Sequence, residues 1–197
     1  MIIHGGGLLA TAFRAHADLT VPGVVFARGV SDSASTDENA YRRELELLEA
    51  ATTSALHLRE PIVYFCGAPI YGTFESWRRE DDELHPRTRY GRHQENAERM
   101  IRASGARYLI GRTPNVVGPG GHHHQLIPAL VRQATSGSVS VQSGASRDLL
   151  DVEDLSATPR ACWHRARATS SSISQPASRR LLRRSLVASL RSSPSSP

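Results

Sequence analysis

Lysine is absent from this chain: all 24 basic residues are arginine, so every fixed cation is a guanidinium. Cysteine is nearly absent. Cys66 and Cys162 stand far apart, which excludes both a disulfide framework and a zinc-ligand spacing. No apolar run is long enough to span a bilayer. The first residues carry neither a basic leader region nor a cleavage-like site, so no signal peptide is expected and the cytoplasm is the expected compartment. No internal repeat is visible. Acidic residues stop at Asp154.

That last gap divides the chain. Up to Leu155, sixteen arginines meet nineteen acids, a balance of −3; from Ser156 on, eight arginines meet none, a balance of +8. The whole carries +5, and all of the excess sits in the tail. Residues 156–197 are rich in Arg, Ser, Ala and Pro and poor in large apolar side chains. Such a segment cannot bury enough surface to offset chain entropy, so a disordered tail is expected. Within it, "SRRLLRRSLVASL" has the pattern of a basic amphipathic helix. A basic tail of this kind can meet nucleic acid or acidic lipid. A transient helix without a partner, or out-of-frame translation of a GC-rich gene, also accounts for it. The body gives no sign of a nucleic-acid or membrane partner.

Residues 1–155 are long enough for one domain with a core. Short apolar runs alternate with helical patterns. "MIIH", "VVFA", "IVYFCG", "ARYLIG" and "SVSVQ" read as strands; helices are expected after the first glycines, over "ENAYRRELELLEAATTSALHL", from about Tyr90 to Ser104, and over "HQLIPALVRQAT". Leu45, Leu48, Ala51, Ala55 and Leu58 mark the core stripe of the long helix; Gly105 is placed to cap the third. Glu44, Glu46 and Glu49 fit a solvated face, Glu80–Glu83 an exposed loop, and "TPNVVGPGG" a turn-rich connection. Strands without polar alternation imply a parallel sheet buried on both sides. The expected fold is α/β: a Rossmann-like parallel sheet with helices on both faces, followed by the basic tail.

"GGGLLA" supplies Gly5, Gly7 and Ala10 in a G-x-G-x-x-A spacing between a strand and a helix. Gly5 would permit the tight turn, Gly7 the close approach of a pyrophosphate, and Ala10 close helix–sheet packing. The amides around Leu8 and Leu9 at the helix start would meet the anion. A plain glycine turn gives the same letters. The next strand ends in Ala27, Arg28 and Gly29, where a dinucleotide fold has an acid for the ribose. Arg28 there would favour the 2′-phosphate of NADP, or be a solvated strand end. Three histidines, His122–His124, point in different directions if helical, so no metal site is expected.

"GGGLLA", "IVYFCGAPIYG", "YGRHQENAE", "RTPNVVGPGG" and "RDLLDVED" occur in this order. The set resembles the extended short-chain dehydrogenase/reductases, the NAD-dependent epimerase/dehydratase family that acts on nucleotide sugars. The resemblance covers roughly residues 1–155. It implies NAD or NADP as cofactor, a nucleotide-sugar substrate, and an epimerase, dehydratase or ketoreductase ancestry; a homodimer stays open. "ARGVSDS" also resembles the segment that follows the family's fourth strand, beside the nicotinamide ribose. In that alignment the second and third strands are missing and Arg28 is remote from the adenine ribose; in the other they are not. The resemblance makes Tyr90 the acid/base. It puts a lysine four residues later, where this chain has Gln94, and a Ser or Thr four residues before Tyr71, where it has Gly67. His93 lies one turn from Tyr90 and could stand in; Cys66 and Thr73 flank Gly67. Pro114 would sit by the nicotinamide, Asn115 and Arg147 by the substrate. Arg147 equally suits an ion pair with Asp148 or Asp151. Enzymatic ancestry is thus implied, and an inactive binding protein is the alternative.

Overall fold

A computed structural model of the chain describes residues 1–16, 22–72, 78–141 and 147–157. Thr73, Cys162 and the tail from 158 lie outside them. The elements run β1 (Ile2–His4), α1 (Leu8–His16), β2 (Val24–Phe26), α2 (Glu38–Leu58), β3 (Ile62–Gly67), a 3-10 turn (Ala68–Tyr71), α3 (Arg89–Ala103), β4 (Tyr108–Thr113), β5 (Asn115–Val117), α4 (Leu126–Thr135) and β6 (Leu149–Asp151). A last helical stretch covers 152–157 and buries Leu155 and Ser156, so helix crosses the expected boundary at Leu155.

β1, β2, β3 and β4 form one parallel sheet in chain order, with Ile2, Val24, Ile62 and Tyr108 in register. Both faces are covered, as the unalternating runs require. On one face Val24, Phe26, Ile62, Tyr64 and Ile110 pack with Leu48 and Ala55 of α2 and Ala97 and Ile101 of α3. On the other, Val25, Val63 and Leu109 meet Phe13 of α1. This is the Rossmann-like arrangement. The strand order also decides between the two alignments. In the unshortened alignment the fourth strand would return to pair with β1; here β4 pairs with β3, and among the described residues β1 pairs with β2 alone, the order expected of the shortened one.

The helices start and stop where local chemistry dictates. Asp37 caps α2 by accepting from the Asn39 and Ala40 amides. Thr88 caps α3 through the Gly91 amide at 3.0 Å. Gly105, at φ +77°, follows the end of α3 as its sequence position suggested.

Three expectations fail. "SVSVQ" forms no strand over 138–141, and Val139 and Val141 are exposed; alternation without a neighbouring strand is not enough. The loop "TPNVVGPGG" instead contributes β5, which pairs in parallel with β6. On α2 the buried stripe includes Tyr41, Glu44 and Thr52, whereas Leu58 is exposed.

Candidate functional site

The first turn behaves as its glycines demand. Gly5 has φ +128°, and a Cβ there would sit 2.2 Å from the Ala27 carbonyl oxygen. Only glycine fits both constraints. The same imagined Cβ comes within 3.2 Å of the Ala10 Cβ, and Ala10 is fully buried: helix and sheet pack as closely as the spacing predicts. Arg14 fixes the turn from below, donating to the Gly5 carbonyl at 2.6 Å. Gly6 and Gly7 face the open. Among the described residues, nothing lies within 4 Å of a Cβ on Gly6, and His122 Nε2, at 3.9 Å, is what approaches one on Gly7. α1 begins at Leu8, and the amides of its first turn have no intrahelical acceptor.

A cleft of about 1530 Å³ opens in front of this turn, at the carboxyl ends of the strands. That exceeds the roughly 300–1,000 Å³ of common small-molecule sites. Gly7, Leu8, Leu9, Arg28, Gly29, Tyr90, Gln94, Pro114, Asn115 and Arg147 all line it, so most residues singled out in the sequence are brought together. Gly5 and Ala10 lie behind it as supports.

The three acid/base positions converge. The Gln94 amide oxygen accepts the Gly67 amide N–H at 3.1 Å. The residue in the lysine position thus holds the backbone of the residue in the Ser/Thr position, 27 residues away. Burial, and then the carboxylate of Glu44, push the Tyr90 phenol well above its ordinary value. Tyr90 is therefore held protonated. Cys66 is no substitute hydroxyl: its thiol donates to buried Glu98 at 3.1 Å, and burial pushes its pKa up.

His93 is absent from the cleft lining. Its Nε2 lies 3.1 Å from Glu44 Oε2, with both side chains almost wholly buried. The approach is off the line of a hydrogen bond. The Tyr41 ring packs against it, tilted by 31°, with the ring centres 4.6 Å apart. Glu44 is accordingly no solvated carboxylate. It also accepts the Val30 amide at 2.7 Å and leaves no room for a side chain on Gly29. The pair fastens the 29–30 backbone, and with it one wall of the cleft, to α2 and α3.

Asn115 points its amide back to the Asp148 carbonyl at 3.3 Å, across the β5–β6 pair. Arg147 and Arg28 are exposed at the cleft; of the expected exposed run, Glu80, Asp81 and Glu83 are exposed and Asp82 is half-buried. His122 and His124 stack at 5.4 Å; His124 Nε2 is 3.2 Å from the Ser31 hydroxyl. One cluster had no local signal in the sequence. Glu98, on α3, takes two bonds of 2.8 Å from Arg112, on β4, and a contact of 3.4 Å from Arg102. Arg112 also donates to the Tyr71 hydroxyl at 2.9 Å. Burial works against the Glu98 carboxylate, but the bonds from Arg112 and Cys66 outweigh it and hold the carboxyl below its usual range.

A parallel sheet, a glycine turn into a helix and a cleft across the strand ends define an α/β protein of the nucleotide-binding type. The model of the NAD dependent epimerase/dehydratase family matches residues 9–172, and the chain belongs to that family. The match begins just after the glycines and continues past Leu155, where the resemblance in the sequence was expected to stop. Solved structures agree on the fold. MoeE5 in complex with UDP-glucose and NAD superposes with a TM-score of 0.70 at 16% identity, covering 89% of this chain and 73% of that one. RMD from Pseudomonas aeruginosa, complexed with NADPH, gives 0.65 at 19%, covering 83% and 73%. A UDP-glucose 4-epimerase gives 0.63 at 20%, covering 88% and 62%. No curated protein sequence matches significantly. No helix among the described residues is long and apolar enough to cross a membrane.

Proposed function

We propose that the chain binds NAD or NADP together with a nucleotide sugar, and that Tyr90 is its residual proton donor. The observation that carries this is the convergence of the glycine turn, Tyr90, Gln94 and Gly67 on one cleft in a member of this family. The residues present fit a phosphate-linked nucleotide at the turn, because Gly6 and Gly7 leave space where any side chain would fill it. Gly5, Gly7, Leu8, Leu9 and Ala10 would form that cradle; Arg28, Gly29 and Pro114 would border the nicotinamide; Asn115 and Arg147 would face the substrate. Arg147, a forked guanidinium at the cleft, suits paired phosphate oxygens.

Bound nicotinamide would supply the hydride acceptor or donor. The chain's own part is proton transfer, and burial limits it. A phenol held above its ordinary value can donate a proton to a developing alkoxide but is a poor base at neutral pH. Gln94 carries no charge to correct this. In this site Tyr90 would act as the acid that protonates the oxygen of a carbonyl being reduced. Titrating NADH and NADPH while following fluorescence and thermal stability tests the reading. At a ligand concentration of about 100 Kd, binding adds about 2.7 kcal/mol, or roughly 5–11 °C in Tm for a domain of this size. No response to either nucleotide overturns it.

A second reading is favoured by the Gln94–Gly67 bond, which puts a neutral amide and a bare backbone where an ammonium and a hydroxyl would act. It is a binding protein that takes up the same ligands without turnover. Loss of nicotinamide absorbance on adding a 4-keto nucleotide sugar to the NADH-loaded protein would exclude it.

A further inference from the structure

Doubly wound dinucleotide folds bind across a crevice where the strand order reverses, with one mononucleotide-binding half on each side of the first strand. This sheet has no reversal: its order is β1-β2-β3-β4, and among the described residues β1 pairs on one side only. The chain between α1 and β2 is residues 17–23, seven positions. A parallel strand on the far side of β1 would need a crossover of about a dozen residues or more. Exposure agrees. Ile2 is 45% exposed, while Val24 and Ile62, its register mates one and two strands inward, are at 0%. The strand that should be central is the border.

The other half is intact. The glycine turn keeps its shape, and the cleft runs from Gly7 across the ends of β2, β3 and β4 to Tyr90, Pro114 and Arg147. Arg28 stands at the end of β2, on the side of β1 that the sheet occupies, away from where an adenosine would lie. We propose that this chain grips only half of a nicotinamide dinucleotide: the nicotinamide riboside and the linked phosphates are held, and the adenosine makes no contact that contributes to affinity. This rests on the dinucleotide-binding reading above. It has a corollary for specificity. The phosphate that distinguishes NADP from NAD is on the adenosine ribose, so the chain cannot tell the two apart.

The test is direct titration of the full 197-residue chain with NADH, NADPH and the reduced nicotinamide mononucleotide carrying a 5′-diphosphate, which keeps both linked phosphates and lacks only the adenosine, read by nicotinamide fluorescence and calorimetry. The three are expected to bind within about threefold of one another, less than the tenfold that 1.4 kcal/mol represents. Arg28→Ala should leave the NADH-to-NADPH ratio unchanged. Either dinucleotide binding more than about tenfold tighter than the mononucleotide, or a selective loss of NADPH in Arg28→Ala, overturns the half-site while leaving dinucleotide binding standing. Absence of binding by all three overturns both.

Discussion

Replacing Gln94 probes the altered site most directly, because its side chain has one identifiable task. The amide oxygen accepts the Gly67 N–H at 3.1 Å, and the residue is 5% exposed. Gln94→Met keeps the length and the packing but removes the acceptor. A buried donor left unsatisfied costs about 1–3 kcal/mol, which corresponds to roughly 2–12 °C in Tm for a chain of this size. Gln94→Lys removes the same acceptor and buries an ammonium, so it should lose more than Gln94→Met by itself. Gly67→Ser faces a milder constraint. Gly67 is in the extended region at φ −111°, and an added Cβ would meet Pro69 Cδ at 3.1 Å. That residue only has to yield by a few tenths of an ångström. The combination Gly67→Ser/Gln94→Lys would restore both groups implied by the family resemblance, and positioned proton-transfer groups contribute roughly 10²–10⁴ each. Thermal melts of the single variants and turnover of nucleotide sugars by the double variant provide the assays. If Gln94→Met melts with the wild type, the bond to Gly67 does not hold the turn. If the folded double variant remains inert on every 4-keto and 4-hydroxy nucleotide sugar offered, the cleft is not a latent oxidoreductase site.

Glu98→Ala should destabilise by about 3–5 kcal/mol, measured by urea unfolding, because it strands the buried Arg112 guanidinium. The same carboxyl gives stability a pH dependence. Its folded pKa is depressed, so its contribution is full above the unfolded value of about 4.3 and disappears as pH falls through the lower folded value; Glu98→Gln should flatten that acid limb. Gly5→Ala should cost at least the roughly 1–3 kcal/mol of an overpacked site and abolish dinucleotide binding, since its Cβ has no space beside Ala27. Glu44→Ala frees the Val30 amide and His93 together, and faster hydrogen exchange over residues 28–33 should report it.

The main architecture was legible because its signals are local. Apolar runs of three to six residues, a glycine turn and capping residues such as Asp37 and Thr88 specify β1 to β4 and the helices between them. What was not legible depends on partners distant in the chain. β5 and β6 are three-residue strands set among turn formers, and only their pairing makes them strands. "SVSVQ" has the alternation and, among the described residues, no strand to pair with. Glu44 sits among polar letters on α2, and nothing local tells it from Glu46 or Glu49; its partner, His93, is on another helix. At the site, the family pattern located Tyr90, Gln94 and Gly67. The direct bond between the last two required the tertiary structure. The pattern placed His93 near the reaction by spacing along α3, but a helix residue at that spacing also has a neighbouring helix to meet, and here Glu44 claims it.

The order of strands in the sheet has a bearing on how much the fold can lose. Because each strand of β1 to β4 is stitched to the next in sequence, taking strands away beyond β1 severs no ladder among those that remain. Among the described residues, the edge left unpaired is a ribbon of backbone three residues long. So brief a border offers little for a foreign strand to grasp. Trimming at that margin spares the layers on either side of the sheet, and the helices keep their footing.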